Sequence, residues 1–445
     1  MVGAARVSSL QSPAPSTERV DRRGRLIAIY VFAALCHTMV VIFVHLNTNG
    51  HPLAPDAWGY QEKSNFIAAA WAGGHPLSPA ELAALTGTQQ WGFNWTMAVA
   101  RQVGGGSWLA AKLVIGLIAA SAGPAAYLLV KSYSPDSRRA IIAGLGIAAS
   151  PSLLYWDASG LKDGLIVAIV LWIVVVQVRT PPLIAVIVSL AGMQALLYVR
   201  PPAALFVLAG LAALFLHRRA ALLIPAAAVA AIGATILIAP RAHTLLQLSG
   251  SLMIDPTTPL SWGGGTESTS LLLHPQHLGW FFFGPFPWSY GEGTDVPDRW
   301  LYIGTTIWIA TLALVLPSIK VAWRDTTGPG RALVLAVSAY LLVYLGAFGG
   351  GFYRQRSLIE AAVLILVVCY CPLSPRVALD RVLMWLAVVA AFAMLQSPDL
   401  TPSLNDKAIA GLLLVVGAAF SLKGPAFRSA VRRGGLPRLW RSRDS

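Results

Sequence analysis

Apolar runs about as long as a bilayer is thick follow one another along almost the whole chain of 445 residues, with basic residues between many of them. A helix needs roughly 20 predominantly apolar residues to cross the hydrocarbon core of a membrane. The pattern therefore predicts an all-α fold, a polytopic transmembrane helical bundle of about twelve spans. The predicted spans are 26–46, 108–130, 140–156, 164–178, 182–199, 203–217, 220–239, 300–319, 332–349, 357–373, 382–395 and 407–422.

The composition excludes other broad classes of protein. Hydrophobic residues make up 56% of the chain, charged residues only 12%, and the mean hydropathy is +0.64. A soluble domain carries about twice that charged fraction, and disordered chains are poor in apolar residues. The cysteines, Cys36, Cys369 and Cys371, all lie in apolar stretches, which argues against a disulfide framework.

The net charge of +14 is explained by topology. When the N-terminus is placed in the cytoplasm, about two thirds of the Lys and Arg residues fall in the predicted inner segments, as the positive-inside rule requires. The alternation predicts an even number of spans with both termini cytoplasmic. We therefore expect a multi-pass membrane protein, with membrane lipids and no nucleic acid among its partners. The Ala-, Gly- and Arg-rich composition points to a GC-rich bacterial genome, and hence to a bacterial plasma membrane.

The organisation along the chain follows from the spans. Residues 1–24 are predicted to be a disordered cytoplasmic N-terminus, 25–422 the membrane domain, and 423–445 a basic cytoplasmic tail that contacts anionic lipid. Two outer loops, about 47–107 and 240–299, are too long to be simple connections. Both are rich in tryptophan, which predicts interfacial helices lying on the outer leaflet.

Acidic residues of the first outer loop are candidates for proton chemistry. Asp56 follows Pro55 at the predicted start of a helix, and Tyr60 and Glu62 follow within that helix. One interpretation is that Asp56 caps the helix. The other is that its carboxylate, held just above the membrane, accepts a proton from a substrate hydroxyl.

A second group of charges lies between two apolar runs. Asp157, Lys162 and Asp163 are predicted to form a short outer turn. Charged groups at the end of a span are costly unless they are solvated or paired. The turn is interpreted either as an interfacial Lys–Asp pair that ends the spans or as a site where lysine neutralises a phosphate.

Arginines stand on the predicted outer side, where positive charge is normally depleted. They are Arg200 after the fifth predicted span, and Arg354 and Arg356 just before a later one. The guanidinium fork suits phosphate oxygens, although snorkelling to lipid phosphates is the alternative. Glu360 stands four residues after Arg356, the spacing of a helical ion pair.

The second outer loop contains His274, His277 and an aromatic–proline run that ends at Trp288. A proline between the histidines and the lack of an evident third ligand argue against a metal site there. The aromatic run is interpreted as an interfacial wedge or as one wall of a groove for an apolar chain.

Several short motifs together resemble the GT-C superfamily of membrane glycosyltransferases, in particular bacterial enzymes similar to protein mannosyltransferases and glycosyltransferase family 39. They are the early acid and helix from Asp56 to Gly74, the segment 149–156 followed by Leu161-Lys162-Asp163, and the segment 352–356. Many relatives carry an acidic pair in the first loop, whereas here Asp56 is followed by Ala57.

The resemblance implies transfer of a sugar from a polyprenyl-phosphate donor to a glycan, lipid or protein acceptor in cell-envelope glycan or glycoconjugate synthesis. It implies that Asp56 is the catalytic base, and it leaves a divalent cation, Mg or Mn, open. Its remaining site residues are expected to be donor-phosphate cations (Lys162, Arg200, Arg354 and Arg356), supporting acids (Glu62, Asp157 and Asp163) and groove residues (Tyr60, Trp288 and Tyr353).

Two other functions are compatible with the same residues. One is a polysaccharide polymerase or ligase, which uses polyprenyl-pyrophosphate oligosaccharides and also places arginines in outer loops. The other is a flippase or transporter of lipid-linked sugars, which requires ionisable groups at mid-membrane depth.

Overall fold

The computed structural model describes residues 16–53, 55–86, 91–134, 136–204, 206–208, 210–211, 282, 299–325, 330–347 and 356–396. Every regular element in these ranges is helical. The α-helices are α1 (Ser16–Asn47), α2 (Pro55–Ala72), α3 (Pro79–Thr86), α4 (Gly92–Val103), α5 (Trp108–Ala119), α6 (Ala122–Tyr133), α7 (Ser137–Ala148), α8 (Pro151–Ala158), α9 (Asp163–Arg179), α10 (Pro182–Val199), α11 (Arg299–Arg324), α12 (Gly330–Ala347), α13 (Ser357–Tyr370) and α14 (Pro375–Gln396). A short 3-10 helix, Pro201–Ala203, follows α10.

Within the described ranges, five segments are long and apolar enough to cross a membrane. They are Asp21–Asn47, Trp108–Tyr133, Ser137–Ala158, Pro182–Val199 and Trp300–Arg324. The second comprises α5 and α6, and the third comprises α7 and α8, with a break before Pro151. Each coincides with a predicted span, so the prediction of a helical membrane protein is confirmed at these positions.

The outer surface of α1 shows why this fold suits lipid. Large apolar side chains recur every three or four residues along one face of α1 and remain exposed: Ile27, Val31, Leu35, Met39, Ile42 and Leu46. Exposed apolar patches of this extent are rare on soluble monomers and mark contact with a membrane or a partner. The opposite face of α1 carries buried residues such as Ala33, Val40 and Val44.

The remaining predicted spans either correspond to described helices or lie outside the described residues. The runs 164–178, 332–349, 357–373 and 382–395 correspond to α9, α12, α13 and α14, of which α13 is a short apolar helix. The runs 220–239 and 407–422, and nearly all of 203–217, lie outside the described residues, as do 1–15 and the tail 423–445. The total of about twelve spans and the cytoplasmic placement of both termini stay predictions.

Contacts between helix termini divide the described bundle into two ends. At one end, Arg139 of α7 donates to the carbonyl of Cys369 in α13 at 2.8 Å, and Arg179 of α9 donates to the carbonyl of Leu128 in α6 at 2.6 Å. We call this the basic end. At the other end α1, α8 and α10 finish and α5, α9, α11 and α13 begin; we call it the turn end, after the α8–α9 turn that lies there.

The first long loop is a compact helical unit at the turn end. Ile67 of α2, Leu82 of α3 and Ala98 of α4 form a small core of their own. At the start of α3, the hydroxyl and backbone amide of Ser78 donate to the exposed carboxylate of Glu81, and these hydrogen bonds hold the pKa of Glu81 below its usual range. No candidate span lies among the described residues of this loop. The predicted helices are present, and their interfacial orientation stays a prediction.

Glycines bring α6 and α7 into close contact. A Cβ on Gly123 would lie 3.0 Å from the carbonyl oxygen of Gly144, and a Cβ on Gly144 would lie 3.2 Å from that of Gly123. Small residues at such crossings let two backbones approach closely, which is how membrane helices gain packing energy.

Leucine at position 123 should therefore destabilise the fold. Gly123→Leu forces the backbones of α6 and α7 apart, and overpacking of this kind typically costs about 1–3 kcal/mol. We expect a lower midpoint of thermal unfolding in detergent. Gly24→Leu is the matched control, because a Cβ on Gly24 in α1 meets nothing within 4 Å. Equal midpoints for the two variants would contradict the crossing.

Candidate functional site

The turn between α8 and α9 is buried together with its charges. Asp157 and Asp163 are each 1% exposed and Lys162 is 6% exposed. The structure has a short turn at the predicted position and shows that other helices cover it; its outer location stays a prediction. Groups that leave water in this way are stable only when hydrogen bonds or counter-ions replace the water.

Elements from both halves of the described chain cover the turn. Ala57 of α2 and Leu301 of α11 pack with Tyr155 and Trp156 of α8 and with Leu161 of the turn. A Cβ on Gly304 of α11 would collide with Ser152 of α8, so these two helices are also in close contact. The packing of α2 and α11 against α8 and the α8–α9 turn therefore determines their positions.

Asp157 is held by two partners. Its carboxylate lies 3.2 Å from Nδ1 of His37 in α1 and accepts a hydrogen bond of 3.0 Å from the backbone amide of Gly164. A Cβ at position 164 would overlap the carboxylate. Glycine at the first turn of α9 therefore makes room for the acid, and the amides of that turn favour negative charge.

Asp163 is paired with Arg200, which follows α10. The distance from Oδ1 of Asp163 to Nη1 of Arg200 is 2.8 Å, and both side chains are more than nine-tenths buried. The interpretation of the turn as an interfacial Lys–Asp pair stays a prediction. Asp157 pairs with His37 of α1 and Asp163 with Arg200 after α10, so the two acids are joined to different parts of the bundle.

Lys162 links the turn to α10 and to the first loop. Its Nζ donates to the carbonyl of Val199 at 2.7 Å and lies 5.7 Å from the ring centroid of Tyr60 in α2. That ring packs edge-on against Phe93 of α4, with centroids 4.8 Å apart. The ammonium therefore faces an aromatic ring of the helix that begins next to Asp56, a cation–π arrangement.

Asp56 lies in the first turn of α2 and is exposed, whereas its neighbour Ala57 is fully buried. The interpretation of Asp56 as the helix cap is wrong, because α2 begins at Pro55. Asp56 and Tyr60 are four residues apart and share one face of α2. Along the helix axis, Asp56 thus precedes Tyr60, whose ring Lys162 approaches, by one turn with a backbone rise of about 6 Å. Glu62 is exposed on the next turn.

The side chain of Arg356 is buried and makes its contacts inside the protein. It is 1% exposed, its Nε donates to Glu360 at 2.6 Å, and its Nη2 donates to the hydroxyl of Thr305 at 2.8 Å. Its guanidinium also lies 5.8 Å from the ring centroid of Trp308. The predicted pairing of Arg356 with Glu360 is confirmed.

Trp308 in turn connects this site to the second long loop. Its indole Nε1 donates to the carbonyl of Phe282 at 2.7 Å, which places one residue of the aromatic–proline run against α11. Arg354, Tyr353 and Trp288 lie outside the described residues, so the structure leaves their predicted roles untested. Among the described residues no group of three His, Cys, Asp or Glu side chains could hold a metal ion.

Sequence reasoning missed His37 and Thr305. His37 is a lone ionisable residue in the middle of an apolar run, and such a residue is by default a functional or pairing site in a membrane helix. That signal was present in the sequence. Thr305 offered none, because a threonine hydroxyl in a membrane helix can also bond to its own backbone.

Comparison with known proteins finds no matching family model and no matching curated protein.

The Asp163–Arg200 pair should be needed for folding, because removal of one partner from a buried ion pair typically costs about 3–5 kcal/mol. We expect Arg200→Met to lower the thermal midpoint strongly, and the double variant Arg200→Met/Asp163→Leu to recover much of the loss. Arg324→Met, at an exposed arginine of α11, is the control. A double variant no more stable than Arg200→Met would count against the pair.

Proposed function

We propose that the chain is a membrane glycosyltransferase that moves a sugar from a polyprenyl-phosphate donor to an acceptor at the outer face of a bacterial plasma membrane, as its resemblance to GT-C enzymes implies. The observation that carries the proposal is the placement of Asp56. Its exposed carboxylate stands one helical turn from Tyr60, and the ammonium of Lys162 faces that ring from the buried turn.

Transfer of a sugar requires a general base and a cation in the same site, and the carboxylate of Asp56 and the ammonium of Lys162 are the candidates. The carboxylate of Asp56 accepts the proton of the acceptor hydroxyl, whose oxygen then forms a bond to the anomeric carbon. The bond from that carbon to the phosphate oxygen breaks, and its electron pair leaves with the phosphate. A fixed cation near that oxygen stabilises the developing charge.

The cations differ in their contacts, and these contacts suggest different roles in sugar transfer. Lys162 lies nearest to α2 and carries a compact charge with three donor hydrogens. Arg200 adjoins it across the carbonyl of Val199 and holds Asp163 in place. Arg356 is engaged by Glu360 and Thr305, which favours a role in joining α13 to α11. Because Lys162 and Arg200 adjoin each other at the turn, we assign the donor phosphate to these two residues and, from the resemblance alone, to Arg354.

The distribution of charge supports an outer location for the site. Exposed or half-exposed cations concentrate at the basic end, among them Arg138, Arg324, Arg331 and Arg376. By the positive-inside rule this end faces the cytoplasm, so the turn end and Asp56 face outward. Exposed apolar faces on α1 and α10 suit a donor that carries a long apolar tail.

Asp56→Asn should abolish transfer and leave the fold intact. Loss of a general base typically reduces the rate by about 10²–10⁴-fold. In cells that produce this variant we expect a polyprenyl-monophosphate sugar to accumulate relative to cells with the unaltered protein, as measured by mass spectrometry of extracted lipids. Glu81→Gln is the control, because Glu81 is an exposed acid of the same loop that serves to cap α3.

Identical lipid profiles for Asp56→Asn and the unaltered protein would contradict the assignment of the base. Accumulation of an oligosaccharide on polyprenyl pyrophosphate would instead favour the polymerase or ligase alternative.

One observation favours transport as a second candidate. His37 lies roughly ten residues before the end of α1, about 15 Å along the helix, and it pairs with the buried Asp157. Paired His and Asp side chains at such depth are a feature of ion-coupled transporters. On this alternative, proteoliposomes would translocate a polyprenyl-phosphate sugar without cleaving it, and Asp157→Asn would stop translocation.

A further inference from the structure

Lys112 is a buried cation whose charge no acid of the described residues compensates. It lies on the second turn of α5 and is 2% exposed, and no hydrogen bond or ion pair from it is found among the described residues. An unpaired ammonium inside a protein costs several kcal/mol.

The acids nearest in the fold are already engaged. Asp157 holds His37 and the amide of Gly164, and Asp163 holds Arg200. These carboxylates already share the turn end with the basic side chains of Lys162 and Arg200. Lys112 adds a further positive charge, so this part of the bundle carries an excess of buried positive charge.

Other buried polar atoms around Lys112 also lack hydrogen-bond partners among the described residues. Trp108, four residues earlier on the same face of α5, has a buried indole Nε1 with no hydrogen bond among the described residues, and so has Nδ1 of His45 at the end of α1. A Cβ on Gly160 would lie 2.9 Å from the Trp108 ring and 3.6 Å from Cδ of Lys112, so both side chains converge on Gly160. His45 lies within electrostatic range of Lys112.

We infer that Lys112, Trp108 and His45 form an anion site that takes a phosphate group, carried by a lipid or present as inorganic phosphate. The site needs an acceptor-rich partner of negative charge, and a phosphate offers several acceptor oxygens. Lys112 lies about one turn, roughly 6 Å, inside the start of α5, a depth that a lipid phosphate can reach. The inference goes beyond the proposed function and does not rest on it.

The test uses the full chain purified in dodecyl maltoside, a detergent that contains no phosphate. Three probes are added in separate titrations: inorganic phosphate, dioleoylphosphatidylglycerol and undecaprenyl phosphate. Binding to the folded state raises the thermal midpoint in a saturable way. We expect a rise of a few °C with at least one probe. A response to inorganic phosphate assigns a free-anion site, and a response to the lipids alone assigns a head-group site.

Two variants decide whether Lys112 is responsible. Lys112→Met keeps the apolar stem and removes the charge, so the probe-dependent rise should disappear. Lys131→Met is the matched control and should keep the rise, because Lys131 lies at the other end of the bundle and donates to Ser137 at 2.9 Å. Trp108→Phe keeps the ring and removes one donor, so about tenfold more probe should be needed for half of the effect.

The thermal stability of Lys112→Met without a probe provides a second test. Without any probe, Lys112→Met should unfold at the same temperature as the unaltered chain or higher, because an uncompensated charge has been removed. A rise that persists in Lys112→Met, or no rise with any probe in the unaltered chain, overturns the inference. No readout involves sugar transfer, so failure here is separable from failure of the proposed function.

Discussion

A carboxylate or ammonium that leaves water must find its partners inside the protein, and the α8–α9 turn carries several such groups into the bundle. Asp157, Lys162 and Asp163 are each more than nine-tenths buried. Their partners come from α1, from the end of α10 and from the residue that follows it. The relative placement of these helix ends follows from the need to satisfy the turn, which apolar packing alone does not specify.

The same constraint separates two kinds of charged residue. Groups that are buried and paired, such as Arg356 at the start of α13 with Thr305 of α11, hold helices together. Two other charged residues differ from these: Asp56 is exposed, and Lys112 is buried with no hydrogen bond or ion pair found among the described residues. We therefore propose acceptor chemistry for Asp56, which is exposed, and anion binding for Lys112, which has no acidic partner among the described residues.

Local patterns in the sequence predicted much of the helical structure. The runs 26–46 and 182–199 coincide with spans, because length and apolar composition determine them. The Arg356–Glu360 pair was predictable from its spacing of four residues. The pairing of Asp157 with His37 was not, because it depends on how α1 packs against α8, and a residue near the end of an apolar run gives no sign of whether other helices will cover it.

The partners of the turn also lie on both sides of it in the chain, and this has a consequence for biosynthesis. His37 has been translated before Asp157, whereas Val199 and Arg200 follow Lys162 and Asp163 by nearly forty residues. When α8 and α9 first leave the ribosome, Arg200 has not yet been synthesised, so Asp163 lacks this ion-pair partner. We expect the α8–α9 hairpin to remain in a polar environment, at the membrane surface or within the insertion machinery, until α10 and Arg200 have been synthesised.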